Sequence, residues 1–245
     1  MNAWRAACRL VRVLGLALGG WHKIVFHFPR MSQSWREAQV QAWARQMLAE
    51  LGVGLEVRGL TPSKGPMMLV VNHISWLDIL VLHASGHCRF VSKSDVAHWP
   101  LIGRLATGAG TMYIERELRR DAMRIVHHMT EALLDGDILA VFPEGTTSDG
   151  VSLLPFHANL IQAAVSAHAP VQPVALRFTE TATGVNSLKP CYIGDDSLLG
   201  SVWRTVSGPP ITAVVSYGEP QLANGRDRRT WARDLREAVK ALRQP

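Results

Sequence analysis

Apolar residues recur along the chain with two different spacings, and from residue 53 onward these spacings predict a strand–helix alternation. Short runs, of which the interior ones are nearly all apolar, indicate strands at 54–58, 67–72, 89–92, 111–115, 138–142, 171–178 and 211–217. Segments with apolar residues three or four apart indicate helices at 75–84, 99–107, 118–134, 157–168, 198–206 and 229–242. Strands that are apolar on both faces are typical of sheets covered on both sides. The predicted fold class is α/β, with a mixed, largely parallel sheet flanked by helices.

The segment before residue 53 has a different pattern. Its uninterrupted apolar stretch, Val13 to Trp21, is too short to cross a bilayer core, which needs ~20 residues. A second helix is predicted over roughly residues 34–51, and Ser34 with Glu37 spells a capping box at its start. Two consecutive helices are therefore expected before the sheet.

Positive charge is concentrated in the same segment. Residues 1–50 carry seven Lys or Arg and two Asp or Glu, a net of +5, out of a net charge of +6 for the whole chain. Arg5, Arg9 and Arg12 are three or four residues apart, so they line one helical face. A basic amphipathic helix is typical of proteins that bind an anionic membrane surface.

We therefore interpret residues 1–52 as an amphipathic helical hairpin associated with a membrane, and residues 53–245 as the α/β domain. Trp4 and Trp21 suit the headgroup level of a bilayer. The expected location is the cytoplasmic face of the inner membrane, in a monotopic or peripheral mode. A cleavable signal peptide and a helical lid packed on the domain are the alternatives.

The remaining composition narrows the function classes. The three cysteines are scattered, without disulfide or zinc spacing, which fits a reducing compartment. Outside the first 50 residues the net charge is only +1, so no nucleic-acid footprint is present. We expect no metal, no cofactor and no nucleic-acid partner.

A histidine and a carboxylate follow the apolar run 67–71 in the segment Asn-His-Ile-Ser-Trp-Leu-Asp. His73 is suited to accept a proton near neutral pH, and Asp78 could orient its ring. In an uninterrupted helix five residues place two side chains about 140° apart, so we expect His73 on the turn and Asp78 in the first helical turn. The alternative is that Asp78 only completes a capping box with Ser75.

Two later segments follow predicted strands and bear candidate ligand-binding residues. Open α/β sheets bind ligands at the carboxyl ends of their strands. Arg116, after the strand at 111–115, could pair with a phosphate, and Lys93 is a further anion contact. In the segment 142–150, Glu144 could order Arg116 or bind hydroxyls, and the hydroxyls and backbone N–H groups of 145–148 could contact phosphate. Alternatively, these residues form an ordinary turn and surface charges.

In this order the segments NHxxxxD, GxxYIxR, FPEGT and VxPVA resemble the glycerolipid acyltransferase family, especially 1-acylglycerol-3-phosphate acyltransferases. The similarity spans roughly residues 65–178. It implies acyl transfer from acyl carrier protein or coenzyme A to a lysolipid hydroxyl, most simply lysophosphatidate to give phosphatidate. In that family His73 would be the general base and Asp78 its partner. The acceptor site would contain the remaining candidates: Arg116, Glu144, Gly145, Thr146 and Lys93.

The chain departs from the family pattern at Thr147, where many relatives have a basic residue after FPEGT. One phosphate-pairing charge is therefore missing, and a less anionic acceptor such as a lyso-ornithine lipid stays open. A lipid or thioester hydrolase is a rival interpretation, although the chain has no G-x-S-x-G nucleophile motif. A membrane-binding module without activity is a second rival.

Overall fold

Seven strands form one sheet in the computed structural model, which describes residues 3–114 and 119–244. The strand order is β1-β7-β6-β2-β5-β3-β4, and neighbouring strands are parallel except for the antiparallel pair β6–β7. The strands are β1 (Val53–Arg58), β2 (Met67–Val71), β3 (Arg89–Lys93), β4 (Met112–Ile114), β5 (Ile138–Val141), β6 (Val171–Glu180) and β7 (Ile211–Tyr217). The predicted α/β class with a largely parallel sheet is confirmed.

Helices cover both faces of this sheet. They are α1 (Ala3–Phe26), α2 (Gln33–Leu51), α3 (Leu77–Ser85), α4 (Ile102–Gly108), α5 (Arg119–Leu134), α6 (Ala158–Ser166), α7 (Leu198–Ser207) and α8 (Arg228–Leu242). Side chains of successive strand residues point to opposite faces. In β2, Leu69 and Val71 therefore pack into the cluster beneath α2, α3 and α7, whereas Met68 and Val70 pack beneath α5, α6 and α8.

The predicted element boundaries differ from the observed ones at a few places. Helix α2 is capped by Ser32 rather than Ser34, because Ser32 has extended backbone angles and its hydroxyl accepts the N–H of Trp35 at 3.4 Å. Helix α4 begins three residues later than predicted, because Leu101 has a φ of 62° and no helix continues through that conformation. Strand β5 ends one residue early, at Val141, because the chain turns at Pro143.

The two N-terminal helices pack against each other and against the sheet domain. The indole Nε1 of Trp43 in α2 donates to the carbonyl of Leu16 in α1 at 2.9 Å. Buried residues of both helices, including Ala6, Ala44 and Leu48, belong to the same hydrophobic cluster as one face of the sheet. The packed-lid alternative therefore describes their inner side, and the domain boundary at residue 52 stays a prediction.

The outer side of α1 presents a stripe of exposed apolar side chains at spacings of three, four or seven residues. We call it the α1 stripe; its members are Trp4, Val11, Leu14, Leu18, Trp21 and Val25. Among the helices in the described ranges, none combines the length and the hydropathy that crossing a membrane requires.

Candidate active site

His73 lies at the carboxyl edge of the sheet, in the turn between β2 and α3. Its ring Nδ1 is 2.7 Å from Asp78 Oδ2, and the ring is 21% exposed while Asp78 is fully buried. The ring stacks on Phe142, with centroids 4.0 Å apart and planes 15° apart. Its Nε2 makes no hydrogen bond to any residue that the structure describes. A neutral ring that donates from Nδ1 to Asp78 presents Nε2 as a proton acceptor.

Asp78 also holds the turn on which His73 lies. The same oxygen, Oδ2, accepts the backbone N–H groups of Ile74 at 2.7 Å and Ser75 at 2.9 Å. The hydroxyl of Ser75 accepts the N–H of Leu77 at 3.3 Å. The Asp78 carboxylate therefore makes hydrogen bonds of the kind that cap a helix as well as the contact with the His73 ring. The two interpretations of Asp78, as a helix cap and as the partner of His73, both hold.

Glu144 is 3% exposed, and its carboxylate is occupied by main-chain donors. Oε1 accepts the N–H of His73 at 2.7 Å, and Oε2 accepts the N–H of Leu154 at 2.8 Å. Burial raises the pKa of this carboxyl, an effect that the two backbone hydrogen bonds oppose. The structure thus brings Glu144 beside His73, but through the backbone.

The loop after Glu144 also contacts the turn of His73 and the segment near residue 192. Ser148 donates to the carbonyl of His73 twice, from its N–H at 2.8 Å and from its hydroxyl at 3.0 Å. The hydroxyl of Thr147 donates to the carbonyl of Tyr192. These hydroxyls therefore donate to protein backbone, and a phosphate contact by residues 145–148 stays a prediction. Thr146 is exposed.

Gly145 has a φ of 72°, which favours glycine, and a Cβ there would lie 3.1 Å from the ring of His157. The glycine is therefore explained by the turn and by close contact with His157. His157 was not among the predicted site residues, because its proximity arises only when α6 folds back towards the loop.

The structure describes one of the two predicted basic residues, Lys93. Lys93 is exposed at the carboxyl end of β3, which is separated from β2 only by β5. Since strands are about 4.8 Å apart, its backbone lies roughly 10 Å across the sheet from that of β2. Arg116 lies outside the described residues.

The serine and cysteine side chains described near His73 are not arranged as nucleophiles. The hydroxyls of Ser75 and Ser148 are bonded to backbone groups, and neither bonds the ring of His73. Cys191 is buried, its thiol donates to the carbonyl of Asp149 at 3.2 Å, and burial raises its pKa to about 11. A protonated thiol is a poor nucleophile. The arrangement therefore suits base catalysis without a covalent enzyme intermediate.

Comparisons with known proteins identify the family of this chain. The sequence model of a family described as Acyltransferase matches residues 54–177. A lyso-ornithine lipid O-acyltransferase from Pseudomonas aeruginosa is 36% identical over 228 residues, 93% of this chain and 87% of that protein. A 1-acyl-sn-glycerol-3-phosphate acyltransferase from Neisseria gonorrhoeae is 36% identical over 209 residues, 84% of this chain and 81% of that protein.

One solved structure is similar over almost its whole length. The crystal structure of the 1-acyl-sn-glycerophosphate (LPA) acyltransferase PlsC from Thermotoga maritima aligns with a TM-score of 0.64, covering 97% of this chain and 98% of that chain. At 18% sequence identity this likeness shows a shared fold.

Proposed function

The chain belongs to the acyltransferase family, and from that premise we propose that it transfers a fatty acyl group from a thioester to the free hydroxyl of a lysolipid. The observation that carries the proposal is the 2.7 Å contact between His73 Nδ1 and Asp78 Oδ2, with Nε2 left unbonded by the described residues. This arrangement leaves one ring nitrogen directed to a substrate proton while the other is fixed by a buried carboxylate.

In the proposed reaction His73 Nε2 removes the proton from the acceptor hydroxyl as its oxygen attacks the thioester carbonyl. A new ester bond forms, the carbon–sulfur bond breaks, and the imidazolium returns its proton to the leaving thiolate. Asp78 stabilises the imidazolium while it exists. No enzyme ester is needed, because a thioester is already activated and positioning supplies much of the rate enhancement.

For the acceptor we propose 1-acylglycerol-3-phosphate first, with phosphatidate as product, because Lys93 lies at the carboxyl end of β3 and the family resemblance implies a phosphate contact at Arg116. A lyso-ornithine lipid is the second candidate. It is favoured by Thr147, whose hydroxyl bonds to Tyr192 where a basic residue would pair with phosphate. The relative named for that acceptor also covers 93% of this chain. The donor in either case is an acyl thioester of acyl carrier protein or coenzyme A.

We further propose that the α1 stripe holds the protein on the cytoplasmic face of a membrane. Exposed tryptophan and leucine side chains on one helical face favour the boundary between headgroups and acyl chains. Such a position brings the site to its lipid acceptor, and thioester donors are made in the cytoplasm.

The test is a product assay with the protein on vesicles, a labelled long-chain acyl thioester, and either lysophosphatidate or a lyso-ornithine lipid. His73→Ala should abolish product, whereas His127→Ala, an exposed histidine on α5, should leave it unchanged. Free fatty acid as the only product would identify a hydrolase instead. Undiminished turnover by His73→Ala would remove His73 as the base.

The acceptor assignment has its own variant. Arg116→Ala should raise the apparent KM for lysophosphatidate more than the apparent KM for the lyso-ornithine lipid. An equal change for both acceptors would contradict a phosphate contact at Arg116.

A further inference from the structure

Both main-chain polar groups of His73 are held by the loop that follows β5. Glu144 Oε1 accepts its N–H at 2.7 Å, and Ser148 donates to its carbonyl through an N–H and a hydroxyl. These three bonds are independent of the Asp78 contact, which acts on the ring. The histidine is therefore fixed from two sides, by its own turn and by a segment about 70 residues further along the chain.

Glu144 also joins His73 to a second, outer segment. Its Oε2 accepts the N–H of Leu154, and the carbonyl of Leu154 accepts the Nε of Arg236 in α8 at 3.1 Å. The guanidinium of Arg236 also donates to the carbonyl of Leu153 at 2.5 Å. The carboxylate is thus anchored on one side by a segment that the C-terminal helix holds in place.

Burial leaves Glu144 little capacity for substrate. It is 3% exposed, and each oxygen already accepts a backbone N–H. Each oxygen of a carboxylate can accept a further hydrogen bond, so burial rather than bonding capacity is what limits Glu144. At 3% exposure, almost none of its side chain is open to an acceptor hydroxyl.

We propose that Glu144 and Ser148 are positioning residues for the catalytic base, rather than acceptor-binding residues. The inference rests on the proposed function of His73. Their effect is on the placement of Nε2 relative to the acceptor hydroxyl and the thioester carbonyl. Because a misplacement of about 1 Å can reduce a rate by about 10²-fold, loosening this main chain should act on kcat.

The experiment compares Glu144→Gln with Asp149→Asn. Glutamine offers one acceptor oxygen in place of two and turns an NH₂ group towards one of the two N–H donors. Asp149 controls for loss of a negative charge in the same loop, because its Oδ1 accepts the N–H groups of Val151 and Ser152 at 2.8 Å and the amide oxygen of asparagine can keep both bonds. Asp149 makes no hydrogen bond to His73.

For Glu144→Gln we expect kcat to fall about 10- to 100-fold, with the acceptor KM changed less than about 2-fold. Asp149→Asn should keep kcat within about 2-fold of the wild type. A raised acceptor KM at wild-type kcat would assign Glu144 to acceptor binding and overturn the proposal. An equal kcat loss in Asp149→Asn would also overturn it, because loss of a negative charge in this loop would then explain both variants.

Ser148→Ala is a second test, which is independent of whether Glu144→Gln folds correctly. It removes the hydroxyl donor to His73 and keeps the backbone N–H, so the fold should persist. We expect about a 5-fold loss of kcat at unchanged acceptor KM, and unchanged kcat would contradict the proposal. His73→Ala is assayed in parallel: wild-type turnover there means that the proposed function itself has failed, independently of the Glu144 result.

Discussion

Replacing Asp78 by asparagine separates the charge of this residue from its shape. Oδ2 accepts three N–H groups, those of Ile74, Ser75 and the ring of His73, whereas Oδ1 is buried with no hydrogen-bond partner among the described residues. In Asp78→Asn the amide oxygen can take the place of Oδ2 and keep all three bonds. The NH₂ group then occupies the position of Oδ1. The substitution removes the negative charge and leaves the turn intact.

The expected loss of activity follows from the distance between the two groups. Nδ1 and Oδ2 are 2.7 Å apart, so the charge centres of an imidazolium and the carboxylate are about 4 Å apart. At an effective dielectric constant of about 20 their attraction is about 4 kcal/mol. The imidazolium forms only during the reaction, so this energy acts on the barrier and corresponds to about a 10³-fold decrease in kcat.

The assay measures thiol release at saturating donor and acceptor, together with the thermal unfolding temperature. Asp227→Asn is the control, because Asp227 caps α8 by accepting the N–H groups of Arg229 and Thr230, and its hydrogen-bond partners among the described residues include no histidine. It should leave kcat unchanged. If Asp78→Asn kept more than about a tenth of wild-type kcat, the carboxylate would be a helix cap only, and the electrostatic reasoning would be refuted.

Three further predictions concern the surface, acid stability and the buried thiol. Changing both Leu14 and Leu18 of the α1 stripe to Glu should release the protein from anionic vesicles, whereas Leu222→Glu, at a comparably exposed position, should not. Retained binding by the double variant would place the membrane contact elsewhere. Burial lowers the pKa of His83 to about 3, below its value of 6.5 in the unfolded chain, so its stabilising contribution is present above pH 6.5 and is lost as pH falls. Between pH 7 and pH 5, the free energy of unfolding in urea should therefore fall by about 2 kcal/mol more for the wild type than for His83→Gln. Equal decreases would contradict a neutral buried ring. Because burial raises the pKa of Cys191 to about 11, iodoacetamide at pH 8 should modify this thiol only after unfolding, and rapid labelling of the native protein, measured by mass spectrometry, would show that the segment over it opens.

The sequence was sufficient to predict the elements and the histidine–carboxylate pair because both depend on local spacing. Apolar runs specify buried strands, and a separation of five residues requires a turn between His73 and Asp78 if their side chains are to meet. Boundaries were less predictable where single residues decide. Ser32 and Ser34 are equally good caps by composition, and only the extended backbone of Ser32 distinguishes them.

The roles of residues in the loop after β5 depend on contacts that no local pattern encodes. Glu144 follows a strand, as a ligand-binding residue would, but its partners are a backbone N–H 71 positions earlier and another 10 positions later. Backbone donors leave no signature in the sequence, since every residue except proline has one. The sequence could therefore place Glu144 near the site, whereas its hydrogen-bond partners could be identified only from the folded structure.

The two interpretations of Asp78, helix cap and partner of a base, are not alternatives in this structure. One oxygen bonds the ring of His73 and the N–H groups of the next two residues, so the base and its orienting carboxylate are fixed relative to each other within six residues. The separate bonds from Glu144 and Ser148 fix this local unit relative to the sheet. Loss of the first set should uncouple the ring from its carboxylate, and loss of the second should move the intact pair. The decrease in kcat should therefore be larger for Asp78→Asn than for Glu144→Gln, while neither variant changes acceptor binding.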